Sequence, residues 1–413
     1  MTGKLRVMLL LSSLHGGGAE RVAVHLLNRS DPDQFDIRIG LLRRAGPFLA
    51  DADPERVMAS PIGQDWLAYE GANASFYRPH KLILGATLAP LNISRMIAAH
   101  RPHVVMSFLK GISLMTWPAV RAMGARAPRW IAREGNNTDA VIEDELASPA
   151  ARTLIAWLTR RCYRNADCFL ANSHEMAAGL GQRLGLDHAR MRVVQNPIDI
   201  ARIQSLAGAP VDQPSERPFV LAVGRLEHQK AHDLLLAAFA ASSAARGLDL
   251  VIIGRGSREA QLKAQAGALG LGERVRFVDF TTNPWAWMAK AALFVLPSRW
   301  EGFPSVLVEA LACGAPALAT ACDFGPAEVV DHGQSGWIVP PNDTEAFAAA
   351  MDHLLRQPAL TARLAAAGPA RAAMFDIERM VEAYGHLFIE QAALARAGRR
   401  APQVVLEPQT AAA

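Results

Sequence analysis

The chain has 413 residues, 51% hydrophobic and 20% charged, a globular composition with enough apolar material for two domains. A formal net charge of +4 with no dense Lys/Arg run argues against a nucleic-acid surface. No stretch reaches the roughly 20 apolar residues of a spanning helix. The four cysteines (Cys162, Cys168, Cys313, Cys322) show neither C-x-x-C spacing nor zinc-like His partners, so they read as core thiols of a reducing compartment.

Lys4 and Arg6 before Val7 to Leu14 have the look of a short signal peptide. The apolar run continues into glycines and an amphipathic helix, however, which makes Val7 to Leu11 a first buried strand. Gly16-Gly17-Gly18 then turns into a helix beginning near Ala19, with Val22, Leu26 and Leu27 on its inner face. Such a turn lets the backbone approach a phosphate closely. It is not the dinucleotide fingerprint, because Arg21 stands at the third glycine position. Ile37 to Leu42 reads as a second strand, and Ala50 to about Leu82 as irregular chain. Ser94 to Ala99 ends a helix, Val104 to Phe108 is a strand, and Arg129 to Arg133 is another, running into Glu134-Gly135-Asn136-Asn137. Residues 150–165 form a helix whose Leu154, Ile155, Trp157 and Leu158 accompany Arg152, Arg160, Arg161 and Arg164. That pattern fits either a core helix with solvated arginines or one lying on a membrane surface. Cys168 to Ala171 is a strand, and Val193-Val194 leads to Asn196-Pro197-Ile198-Asp199.

Residues 201–218, with Ala207, Gly208, Pro210, Pro214 and Ser215, read as a linker. Strands and helices then alternate again: Phe219 to Val223, a helix from His232, Asp249 to Ile253, Val275 to Phe277, Leu293 to Leu296 and Ala317 to Thr320. Asp343 is the expected cap of a helix to Leu355. Two successive βα arrays predict an α/β chain of two doubly wound, Rossmann-like domains facing across a cleft.

Chemistry concentrates in the second array. VGRLEHQK puts Arg225 and Lys230 just after its first strand, at the sheet edge where ligands bind. An Arg fork and a Lys point charge together suit a diphosphate. Leu293 to Pro316 reads as strand, loop and helix, with Glu301 in the loop beside Gly302-Phe303-Pro304 and Glu309 on the helix. Asp31-x-Asp33 and Asp51-x-Asp53 have the spacing of a metal-binding D-x-D but fall in stretches that read as turns, where Asp is ordinary.

The 293–316 block resembles the E-x7-E signature of retaining GT-B glycosyltransferases of family 4, the glycosyl transferases group 1. GGGAERV near the N-terminus resembles the same family's first loop. The resemblance is strong over 219–345 and looser before 200. It implies a GT-B fold with an acceptor domain over 1–200 and a nucleotide-sugar domain over 219–375. A helix near 376–395 would cross back to the first domain, leaving 396–413 as a tail. It also implies a metal-independent, retaining transfer of a sugar from a nucleoside diphosphate, UDP foremost, to a glycan or lipid-linked glycan in surface polysaccharide or glycolipid assembly.

By that resemblance Arg225, Lys230 and Glu301 are catalytic. Glu309 holds the ribose, and Gly302, Phe303, Pro304, Gly17, Gly18, Asn196 and Phe280 contribute to donor binding. Arg133, Glu134 and Asn136 lie on the acceptor side. Many relatives carry a His at this strand end, so Arg133 and Glu134 depart from the pattern. No metal or organic cofactor is expected and no nucleic-acid partner. The protein is expected in the cytoplasm, with contact at the inner face of the cytoplasmic membrane. Two alternatives stand beside this reading. A nicotinamide-dependent oxidoreductase would need the glycine fingerprint with an acidic residue about 20 positions on, and neither half supplies both. A non-catalytic nucleotide-sugar sensor on the same scaffold would not need all of Arg225, Lys230, Glu301 and Glu309.

Overall fold

A computed structural model describes residues 3–15, 17–59, 79–211 and 217–396, with the side chains of 79–87 and 396 excepted. Thirteen strands form two sheets among these residues. The first holds β1 (Leu5–Leu11), β2 (Phe35–Leu41), β3 (Val57–Ala59), β4 (Val104–Phe108), β5 (Arg129–Arg133), β6 (Cys168–Ala171) and β7 (Met191–Val193). The second holds β8 (Phe219–Val223), β9 (Asp249–Ile253), β10 (Val275–Val278), β11 (Leu293–Leu296), β12 (Ala317–Thr320) and β13 (Trp337–Val339). The orders are β3-β2-β1-β4-β5-β6-β7 and β10-β9-β8-β11-β12-β13, and every pairing is parallel. Central strands of such sheets are covered on both faces, which is why β1, β4 and β11 read as near-continuous apolar runs.

The helices of the first half are α1 (Gly18–Arg29), α2 (Pro79–His100), α3 (Leu109–Ala122), α4 (Thr138–Glu145), α5 (Pro149–Arg164) and α6 (His174–Leu184). Those that follow are α7 (Ile200–Ala207), α8 (His232–Ala241), α9 (Glu259–Ala268), α10 (Trp285–Met288), α11 (Ser305–Ala312), α12 (Pro326–Val329), α13 (Thr344–Leu355), α14 (Pro358–Ala372) and α15 (Ile377–Arg396). Asp343 caps α13 by accepting from the Ala346 amide at 2.8 Å. α15 returns to the first half, where Met380, Val381, Tyr384, Leu387 and Phe388 join the core beneath β1 and β4. Arg192, on β7, grips Glu390 with two nitrogens and fixes that return.

Two expectations need correction. Residues 201–207, read as linker, are helical: Ile200 and Ile203 of α7 are buried in the second half's core. The stretch read as irregular contains β3 and the start of α2; its residues 60–78 lie outside the described ones, as do Gly16 and 397–413. Beyond these, β13 and α14 were not legible as elements. β13 has only three residues, too few for a period to show.

In both sheets the strand order reverses beside the first strand, between β1 and β4 and between β8 and β11. Ligands of open α/β sheets bind at such switch points, beyond the strands' C-terminal ends. Here the two points face each other, because contacts cross between the halves: Asn137 Nδ2 donates to Asp323 at 3.2 Å, and Gly325 N donates to Glu175 Oε2 at 3.0 Å.

Candidate active site

The second half's switch point is built on a glycine contact. Gly254 (φ +151°) lies so near the loop after β8 that a β-carbon on it would stand 2.0 Å from the Gly224 carbonyl oxygen. Only glycine fits there, and it supports the loop carrying Arg225 and Lys230. Arg225 is exposed and donates from Nη2 to Gln229 Oε1 at 2.8 Å. Gln229, buried, donates in turn to the Trp300 carbonyl at 2.9 Å. Lys230 runs along Gly224 and donates from Nζ to Glu301 Oε1 at 2.6 Å, and Ser298 Oγ donates to the same oxygen at 2.6 Å. A loop after β8 and a loop after β11, 71 positions apart in sequence, thus share one ion pair at the switch point. The ammonium has donors to spare for another anion.

Beyond Glu301, Gly302 meets the backbone of Gly135 in the first half: a β-carbon there would lie 2.0 Å from the Gly135 oxygen. Phe303 is core, packing edge-on against Phe375 at 5.2 Å, so only its main chain is available to a ligand. Pro304 caps α11. Ser305 accepts from Asn196 Nδ2 at 2.9 Å, and a β-carbon on Gly18 would lie 3.8 Å from that nitrogen. The N-termini of α1 and α11 therefore approach one another, and two positive helix ends favour an anion between them. Glu309 is 5% exposed. It accepts from Trp285 Nε1 at 2.9 Å and from Arg21 Nη1 at 2.8 Å. Phe280 stands 52% exposed beyond β10, next to the Asp279–Arg255 ion pair.

The residues assigned to the acceptor side divide. Asn136 is half-exposed and reaches Gln229 at 3.5 Å. Arg133 and Glu134 are 1% and 2% exposed and lie behind the cleft wall. Arg133 stacks on Phe108, donates to Tyr384 Oη at 2.9 Å and to Asn196 Oδ1 at 2.6 Å, and keeps Nη1 buried without a hydrogen bond. Glu134 accepts from the Gly135 and Asn136 amides at 2.8 and 3.1 Å and from the Tyr163 hydroxyl. Burial raises its carboxyl above the usual range against those bonds. As neighbours at the end of β5 they cannot share a face, and both serve to shape the loop that meets Gly302.

Sequence reasoning missed Arg21, Gln229, Trp285, Ser298 and Tyr384. A buried indole such as Trp285 needs an acceptor, and that requirement was its only signal. The D-x-D candidates are occupied locally: Asp31 accepts from the Asp33 amide and Gln34, and Asp53 from the Glu55 amide. Among the described residues no group of three His, Cys, Asp or Glu could hold a metal.

A fold of this topology with its two switch points face to face is GT-B. Residues 17–197 match the model of the glycosyl transferase 4-like domain, and residues 209–371 that of the glycosyl transferases group 1. The lipopolysaccharide core biosynthesis glycosyltransferase LpsE of Rhizobium meliloti is 28% identical over 373 residues, covering 89% of this chain and 94% of that one. Sucrose-phosphate synthase from Thermosynechococcus elongatus superposes with a TM-score of 0.75 at 21% identity, covering 94% of this chain and all of the other. Anabaena HepE, crystallised with UDP-glucose, gives 0.72 at 20% identity over 93% and 99% of the two chains. The chain is a glycosyltransferase of GT-B fold, with its second half matching the group 1 model.

Proposed function

We propose that the enzyme moves a sugar, with retention and without a metal, from a nucleoside diphosphate, UDP foremost, to a glycan or lipid-linked glycan. The observation that carries this is the Lys230–Glu301 pair at the switch point, with Arg225 on the same loop and the N-termini of α1 and α11 close by. In the reaction the bond from the anomeric carbon to the phosphate oxygen breaks and its electrons go to that oxygen. The sugar passes through an oxocarbenium-like state. Arg225, Lys230 and the helix ends stabilise the charge growing on the phosphate without having to reorganise. The acceptor hydroxyl attacks the face the diphosphate leaves, and the departing phosphate takes its proton. Glu301 orients sugar hydroxyls and Glu309 the ribose, while Phe280 offers an exposed ring to the base. HepE's complex with UDP-glucose supports the donor class. LpsE's part in lipopolysaccharide core biosynthesis supports an acceptor in surface glycolipid.

A membrane-bound acceptor also suits α5. Leu154 and Trp157 stand 55% and 54% exposed on it, Arg161 stacks over Trp157, and the helix carries four arginines and no acid. That face fits an anionic bilayer surface. No helix among the described residues is long and apolar enough to cross one.

The deciding test incubates the protein with UDP- and GDP-sugars and crude lipid acceptors, follows diphosphate release, and determines the product anomer by NMR. Acceptor-dependent release with the donor's anomeric configuration kept is expected. An inverted product would overturn retention, and release only on adding a divalent cation would overturn metal independence.

A further inference from the structure

The first turn of α1 carries two residues beyond the glycines, Glu20 and Arg21, that the reaction above does not use. Both face the donor site. Glu309 is held by Trp285 from inside the second half and by Arg21 from the opposite half. Arg21 is 37% exposed while the Glu309 side chain is 6% exposed and Trp285 7%, so the guanidinium covers the carboxylate on its open side. Arg21 lies one turn into α1, and Glu309 one turn into α11. Helical side chains lean toward their own N-terminus. Arg21 therefore leans toward the gap where Gly18 faces Ser305, about one helical turn, ~5 Å, along.

A carboxyl group of α1 itself lies beside that gap. The carboxylate of Glu20 folds back over Gly17, where a β-carbon would lie 2.6 Å from its Oε2. There it meets the positive end of α1; burial raises its carboxyl above the usual range, against the lowering charges of Arg225 and Arg133.

We infer that Arg21 determines specificity by exchange: it covers the ribose-binding acid and gives it up only when a diphosphate in the neighbouring gap offers it a better partner. This rests on the reading that Glu309 holds the donor's ribose. A neutral ribose hydroxyl competes poorly with a charge-assisted guanidinium–carboxylate bond. A diphosphate supplies anionic oxygens that take Arg21 over, so the nucleoside gains access to Glu309 through its own phosphates. Nucleosides without phosphates meet a covered acid.

Calorimetry with uridine and UDP on the full chain tests the exchange, using wild type, Arg21→Ala and Arg21→Lys. In the alanine variant uridine is expected to bind about tenfold tighter and UDP no tighter, so that the advantage of UDP over uridine shrinks about tenfold or more. Lysine restores part of that advantage. Arg21→Met, which keeps an apolar stem over the Phe48 ring that Arg21 now covers, replaces the alanine variant if that loses its fold. An unchanged ratio of the two affinities, with wild-type UDP binding intact, overturns the exchange alone. Failure of the wild type to bind UDP or GDP overturns the donor reading and the exchange with it.

Discussion

Gly302 and Gly135 touch across the cleft without room for a methyl group: a β-carbon on Gly302 would stand 2.0 Å from the Gly135 oxygen and 2.9 Å from the Asn136 nitrogen. Backbone meets backbone there, so neither side can rotate away. Gly302→Ala must push the loops apart and, with them, Glu301 and the start of α11. Because misplacement by about 1 Å costs on the order of a hundredfold in rate, kcat/KM is expected to fall ten- to hundredfold while the melting temperature moves little. Steady-state kinetics beside a thermal melt would check it, and wild-type kinetics in the variant would show that the contact does not set the catalytic arrangement.

Lys230 shares its charge with Glu301 at 2.6 Å, and both side chains are largely buried, at 13% and 7% exposure. Lys230→Ala removes a fixed cation from the departing phosphate and leaves an acid with only Ser298. Loss of one preorganised partner of a developing charge costs about 10²–10³ in kcat. Turnover at saturating donor should therefore drop far more than donor affinity. Calorimetry on the same samples separates the two, and parallel losses in both would remove the leaving-group role.

Glu309 gives a contrasting expectation. Ionised acceptors contribute about 1.5–3 kcal/mol per hydrogen bond, so Glu309→Ala should weaken donor binding by one to two orders of magnitude. Folding should survive at a cost of about 1–3 kcal/mol, the loss of the one acceptor of the buried Trp285 Nε1, since Arg21 is partly exposed. Titration with UDP-sugar reads the effect, and unchanged affinity would take the ribose away from this residue.

These residues also show where sequence reading works. The longer parallel strands were legible because burial on both faces turns them into short apolar runs, whereas β3 and β13, with three residues each, were not. Glu301 and Glu309 were legible because strand, loop and helix are contiguous in the chain. Arg21 was not: its partner Glu309 lies 288 positions away, and an arginine in a helix's first turns is ordinary. Arg133 and Tyr384 are 251 apart, joined only because α15 returns to the first half. α7 was hidden by the Gly and Pro residues that follow it, although Ile200 and Ile203 have helical spacing and are buried.

His232, at the start of α8, is 3% exposed behind the site. Burial, aided by the charge of Lys230, pushes its pKa down to about 4 from an ordinary 6.5. The folded chain thus refuses a proton that the unfolded chain accepts between those values. Its contribution to stability is complete above pH 6.5 and is lost as pH falls to 4, about 3 kcal/mol over that range. Carboxylates titrate in the same window, so the quantity to measure is a difference. Urea unfolding of wild type and of His232→Gln, which cannot titrate, at pH 7, 5.5 and 4 should give a gap that moves by about 3 kcal/mol in the variant's favour as pH falls. A gap independent of pH would mean that His232 takes up its proton equally in both states, and that its burial is relieved on protonation.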